Sequence, residues 1–225
     1  MLRVLFFVAL LAPAALAADT DFTDFAGLSV TPYGQQILDI ASGITTLPDG
    51  GEIIDRDHGI TLSGGFIRYR EEDFVEIRGA RANGAFGDLS AAMVNVDIAG
   101  QSLRAEGDIL LSSQLLGSQG VSSQGVTLEA QTLRVDLEAA TAVVEGGVRS
   151  VDPPFEAAAL IIDFEREEAL LVGPYRYEDG GFTLRSSRSE DLLLLKTTER
   201  GVEASTEIPA ALLERLRLYL RAQRS

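Results

Sequence analysis

The chain holds one histidine, His58, in the stretch IIDRDHGI, with Asp55 and Asp57 beside it. A histidine next to carboxylates is the start of a general base or of one corner of a metal site. Nothing in the sequence completes either. A structural or catalytic zinc needs several converging ligands, and the chain has no cysteine. A Ser-His-Asp arrangement would use His58 as its base, yet no serine sits in a G-x-S-x-G elbow. His58 therefore reads as a residue of a polar, glycine-flanked turn.

The other candidates are the aspartates that recur between apolar residues, at Asp97, Asp136, Asp163 and Asp191. Dense oxygen ligands in one loop would suggest calcium, and two facing carboxylates roughly 5–10 Å apart would suggest glycoside hydrolysis. Alternation puts each of these aspartates on the face opposite its apolar neighbours. Their expected place is the solvated turn side of a strand. The acidic runs Glu71-Glu72-Asp73 and Glu165–Glu168 read as hairpin turns. No catalytic residue, no metal site and no cofactor is expected, and the protein is not expected to be an enzyme.

The net charge is −15, with 34 acidic residues against 19 Lys and Arg. Such a surface repels nucleic acid and anionic membranes. The arginine–aromatic stretches GGFIRYR and GPYRYEDGG are then ordinary strand composition. The opening MLRVLFFVALLAPAALA has a basic n-region, an apolar run from Val4 to Leu11 and an Ala-x-Ala site ending at Ala17. It is shorter than the ~20 apolar residues that span a bilayer. Residues 1–17 are expected to be a cleaved signal peptide, which makes the product periplasmic.

The elements that would hold these residues carry a repeat. Counting ten residues forward, Tyr69 reaches Gly79, Asp97 reaches Gly107, Asp136 reaches Gly146, Asp163 reaches Gly173 and Asp191 reaches Gly201. The markers lie 28, 39, 27 and 28 residues apart, and the long interval contains the Gly/Ser/Gln-rich stretch Leu115–Gln124. Each unit reads as two strands. Val126, Leu128 and Ala130 alternate with polar residues, then Leu133, Val135 and Leu137 do so with the opposite parity. That period of two is the strand signal, and the change of parity predicts a bulge or bend. The glycine predicts a tight bend or a close backbone approach. Stacked units of this kind share one core. The expected division is a signal peptide over 1–17, an N-terminal segment with the first strands over 18–58, a repeat-built β domain over 59–206, and a C-terminal helix over 207–225. In that helix Leu212, Leu213, Leu216 and Leu220 form an apolar stripe, suited to capping an end of the β stack or to docking on a partner or a membrane surface.

The fold class expected from this pattern is mainly β, an elongated antiparallel folded-over sheet or β-jelly roll with a C-terminal amphipathic helix. Its inward positions would line a long apolar interior. Leu128, Val135, Leu137, Val144, Ile162 and Phe164 are the candidate lining residues, read from alternation. Each buried CH₂ of a ligand contributes about 0.8 kcal/mol, so such an interior holds an acyl chain without any polar motif.

The signal peptide, followed by units such as GVTLEAQTLRVDLEAATAVVEGGV and GDLSAAMVNVDIAGQSLRAEGDI, resembles the OstA-like family of lipopolysaccharide transport. The resemblance spans roughly Gly59 to Thr206 and rests on the repeat, not on catalytic residues. It implies a twisted β-jelly roll that binds lipid acyl chains in its interior, pairs edge to edge with itself or with envelope transport proteins, and has neither enzymatic activity nor cofactor. Two features depart from the family: the C-terminal helix, suited to covering an edge, and an acidity that suits phosphate-bearing lipid poorly. The expected function is lipid sheltering and transfer in envelope biogenesis, with lipopolysaccharide or another envelope glycolipid as partner. The alternative is a structural or interaction scaffold with a filled core.

Overall fold

The computed structural model describes residues 23–25, 28–113, 126–198 and 201–222. The expected signal peptide and the Gly/Ser/Gln-rich stretch lie outside them. The described chain is mainly β, as the alternation predicts. Its spine is a run of long strands: β8 (Phe74–Gly84), β9 (Gly87–Asp97), β10 (Ser102–Ser113), β11 (Val126–Asp136), β12 (Thr141–Val151), β13 (Pro154–Asp163) and β14 (Glu168–Asp179). Each is antiparallel to the next.

The spine is broken at its middle. From β9 to β14 every pairing changes register near mid-strand, for example between Glu129 and Thr132 and between Glu145 and Val148. The first of these is the parity change read between Ala130 and Leu133. Gly107 and Gly146 sit at such breaks with φ of +76° and +86°, a left-handed conformation that glycine adopts without a Cβ penalty. Gly79 and Gly173 lie at mid-strand in β8 and β14, whereas Gly201 opens β17 (Gly201–Ser205).

Beyond the breaks the partners diverge. The first half of β8 pairs with β7 (Phe66–Arg70) and its second half with β6 (Ile60–Gly64). The first half of β14 pairs with β16 (Leu192–Thr198), which pairs with β17; its second half pairs with β15 (Phe182–Ser186). The N-terminal strands extend both branches. β4 (Ile44–Leu47) and β3 (Ile37–Asp39) follow β7, while β5 (Gly51–Asp55), β2 (Leu28–Pro32) and β1 (Thr23–Phe25) follow β6. All the described strands thus belong to one antiparallel sheet with two half-sheets, and the residues of 18–58 that are described are part of it.

Each half-sheet buries one face. Leu103, Leu133 and Leu160 on one half and Ile109, Leu111 and Leu128 on the other are at most 1% exposed and belong to a single apolar cluster. No other described element covers these faces, so the halves close on one another. A fully buried Leu or Ile contributes about 1.5–3 kcal/mol, which makes this interior the main source of stability.

A second cluster lies on the outer face of the first half-sheet. There Val143, Ile161, Leu170, Val172 and Leu194 are covered by α1 (Ala210–Arg215) and α2 (Arg217–Ala222) through Leu212, Leu216 and Leu220. Two findings differ from the expected single helix over a stack end. The helical segment turns at Leu216, whose φ of −88° and ψ of 6° leave the helical region. It also lies across the flat of the sheet, because in β12, β13, β14 and β16 both faces are apolar.

Candidate functional site

All six candidate lining residues belong to the interior cluster. Leu128 and Val144 are 0% exposed, and Ile162 and Val135 are nearly as buried. Leu137 and Phe164 are only half-buried and pack at the margin. Together with Ile98 they form a regular set. Each follows directly on the aspartate that ends a long strand, and each begins the turn beyond it. Tyr69 packs against the same cluster from β7. The first half-sheet therefore ends in an apolar rim, the part of the interior nearest solvent on that side.

The aspartates before these residues do turn chemistry. Asp97, Asp136 and Asp163 accept a hydrogen bond from the backbone N–H three residues on, at Gly100, Ala139 and Arg166, at 2.8, 2.8 and 3.1 Å. This is the hydrogen-bonded turn for which aspartate is suited. Asp191 differs: it accepts from Arg188 and, secondly, from Ser186 Oγ, which hold its carboxyl below the usual carboxylate range. Asp163 also departs from the expected solvated position. It is 5% exposed, and the Arg215 guanidinium lies 2.7 Å from its carboxylate. Arg215 also reaches Glu168 at 3.4 Å, and the Tyr219 hydroxyl donates to Asp136 at 2.9 Å. The reason is α1 and α2: they lie over these turns and take two of the three aspartates as anchors. Sequence reading missed these contacts because the partners come together only in the tertiary fold.

His58 is held in its turn by Asp55, with Nδ1 2.8 Å from Oδ2 and the His58 N–H on Oδ1 at 3.1 Å. No group of residues suited to a metal ion occurs among the described residues. None of the described helices is long and apolar enough to cross a membrane.

Two polar groups in the interior stand apart. Ser150 Oγ and Tyr177 Oη are buried on inward faces of the second half-sheet and have no hydrogen-bond partner among the described residues. In the ladder they flank Phe155, which pairs with both residues. Tyr177 belongs to GPYRYEDGG, where alternation with Arg176 and Glu178 was the available signal that it faces inward.

Burial pushes the Tyr177 phenol up to about 12, with the Asp179 charge adding to it. Burial, followed by Asp136, does the same for Tyr219, also to about 12. Folding favours the neutral phenol, so the stabilisation is complete below the ordinary value of 10.0 and is lost as the pH rises from there through about 12. Urea midpoints are expected to hold to about pH 9 and fall steeply above about pH 10. Replacing both tyrosines by phenylalanine should flatten that fall. An equal fall in the double variant would assign it to other groups.

Exposed apolar side chains gather at the far N-terminal branch. Ile37 and Leu38 of β3, with Tyr33 and Ile40 beside it, are 47%, 58%, 63% and 89% exposed. Among the described residues β3 pairs with β4 alone. No family model matches the sequence, and no curated protein matches it. The class that the fold defines is an antiparallel β protein folded over one apolar interior.

Proposed function

We propose that the protein is a repeat-built β-jelly roll of the OstA-like kind, exported to the periplasm, that shelters the acyl chains of an envelope lipid and passes them on. The observation that carries this reading is the single apolar interior between the half-sheets, ending in the half-buried rim of Ile98, Leu137 and Phe164. The cargo is lipopolysaccharide or another envelope glycolipid, and a net charge of −15 favours one with few anionic groups. The work is passive binding without catalysis or cofactor. The apolar edge at β3 suits pairing with a transport partner or a second copy, since an unpaired strand offers a row of main-chain donors and acceptors.

Native mass spectrometry of residues 18–225, purified from its own cells without detergent, tests this. A mass excess that dissociates as a defined lipid supports the carrier and names its cargo. A clean apo mass after incubation with envelope lipid extract supports the scaffold. That second reading has its own observation, the complete burial of Leu128 and Val144.

Substitution separates the two. Leu137→Trp at the rim is expected to block lipid uptake while changing stability by less than about 1.5 kcal/mol. Leu128→Trp in the closed interior should instead cost about 3 kcal/mol. If Leu137→Trp unfolds the protein as Leu128→Trp does, the rim is core and the carrier reading loses its entrance.

A further inference from the structure

We infer that the outer face of the second half-sheet is a binding groove for an uncharged, extended oligosaccharide. The inference stands apart from the carrier reading, because side chains on this face point away from the interior. A cavity of about 380 Å³ reaches from Thr61 of β6 to Thr127 of β11. A second, of about 470 Å³, reaches from Asp108 of β10 to Arg149 of β12. Leu110, 46% exposed, lines both, so the two form one groove across the strands. Here β6, β8, β9, β10, β11 and β12 are successive neighbours, and five strand spacings make the groove about 24 Å long.

The register shows what hollows this face. Thr61, Asn83, Asp88, Ser112 and Thr127 stand opposite one another in a row across the strands. All five side chains are short, and the second cavity is lined in part by Gly146 and Gly147, which have none. The next row carries the longer Arg81, Leu110, Glu129 and Arg149, with Ser63 and Ser90 among them. The outer face of the first half-sheet is different. It carries the two helices and the ion-paired Arg68, Arg78, Arg104 and Arg134. Such pairs are all that a solvated face needs, and a row of short hydroxyl, amide and carboxylate groups has no structural reason to replace them.

A sugar hydroxyl both donates and accepts. Ser, Thr, Asn and Gln side chains answer both roles, and a carboxylate accepts through several lone pairs. Asn83 Nδ2 donates to Asp88 Oδ1 at 2.7 Å, and the Ser112 and Thr127 hydroxyls lie 3.2 Å apart. These bonds orient the row and leave most of its acceptor sites unused. Ser90, Glu129 and Gln131 have no side-chain partner among the described residues. Leu110 offers an apolar patch for the C–H face of a pyranose. The spacing suits the ligand too, since one strand spacing is about the length of one pyranose in an extended chain. Other occupants fit worse. Asp88, Asp108 and Glu129 outnumber Arg81 against an anionic chain, and Arg149 already faces Glu156 at 3.6 Å. An extended peptide needs a free strand edge, whereas these strands are paired on both sides. A glycolipid with its acyl chains in the interior cannot place its head on the opposite face of the same sheet.

Isothermal titration calorimetry with cellohexaose and chitohexaose, both uncharged and extended, tests the groove. At least one should bind, roughly tenfold more tightly than its disaccharide, which fills only part of the length. A galacturonic acid hexamer should bind roughly tenfold more weakly than that hexasaccharide. Ser112→Trp, near the middle of the groove, should lower the affinity by roughly tenfold or more and leave the thermal midpoint level. Thr127→Trp carries the test should Ser112→Trp fold poorly. Arg104→Ala, on the outer face of the other half-sheet, should bind as the wild type does. Binding of neither hexasaccharide, tighter binding of the anionic hexamer, or undiminished binding in the tryptophan variants overturns the groove. Lipid uptake is read separately, so each of these results leaves the carrier reading where it stands.

Discussion

A Leu216→Asp variant is expected to lose on the order of 4–6 kcal/mol of stability and to expose an apolar surface on the outer face of the sheet. Leu216 is 1% exposed and sits where α1 passes into α2. Each of these helices has six residues. Isolated helices shorter than about 12–15 residues are marginal in water, so α1 and α2 exist because the sheet holds them. An aspartate at 216 would place a carboxylate against Val143, Ile161 and Leu170 with no partner. Releasing the helices avoids that cost but forfeits the burial of Leu212, Leu216 and Leu220 together, roughly 5–8 kcal/mol at full value. It also opens the Arg215–Asp163 pair and leaves a buried carboxylate with only its turn hydrogen bond. Urea denaturation and binding of a hydrophobic dye read both consequences. Leu218→Asp is the control, since Leu218 is 70% exposed and should change little. A Leu216→Asp protein that unfolds with the wild type would mean that the helices contribute nothing to the fold.

The surface beneath those helices was legible in the sequence in a way that alternation alone obscured. Period two finds strands with one apolar face, and over Val126–Leu137 it found β11 with its change of parity. It fails by design where both faces are buried, because the run is then continuously apolar. Ala142-Val143-Val144, Leu160-Ile161-Ile162, Ala169-Leu170-Leu171-Val172 and Leu193-Leu194-Leu195 are such runs, and every residue in them is buried. Set beside the amphipathic stripe of 212–220, they identify what that stripe packs on.

Other parts were beyond a sequence reading for physical reasons. The parity change in β11 predicts a bend, but which strand each half of β8 and β14 then pairs with depends on long-range register. The same holds for Asp163, whose residue type suits a turn equally well exposed or buried. Its burial follows from Arg215, a contact between two ends of the domain. Ser150 and Tyr177 sit at inward positions of correctly read strands, yet composition treats a serine or tyrosine there as unremarkable. Only the closed interior makes them exceptional.

Gly173→Ala should cost about 3 kcal/mol, the upper end of what overpacking with backbone shifts typically costs. Gly173 lies where β14 leaves its pairing with β16 and begins its pairing with β15. The chain between those two partners, residues 187–191, folds back over this point. The Gly173 N–H donates to the Asp191 carbonyl at 2.9 Å. A Cβ at 173 would lie 2.0 Å from the Arg188 carbonyl oxygen and 3.1 Å from that of Asp191. Neither carbonyl is free to retreat. The Arg188 side chain is bound to the Asp191 carboxylate at 2.5 Å, and Ser186 Oγ donates to the same carboxylate at 2.5 Å. One methyl group therefore pushes the connection off the sheet, and the divergence of the half-sheets at this end goes with it. Gly65→Ala is the matched control, because a Cβ there meets nothing within 4 Å. If Gly173→Ala and Gly65→Ala unfold at the same urea concentration, the close approach is not what fixes the branch, and the glycine ten residues after Asp163 has no structural reason to be there.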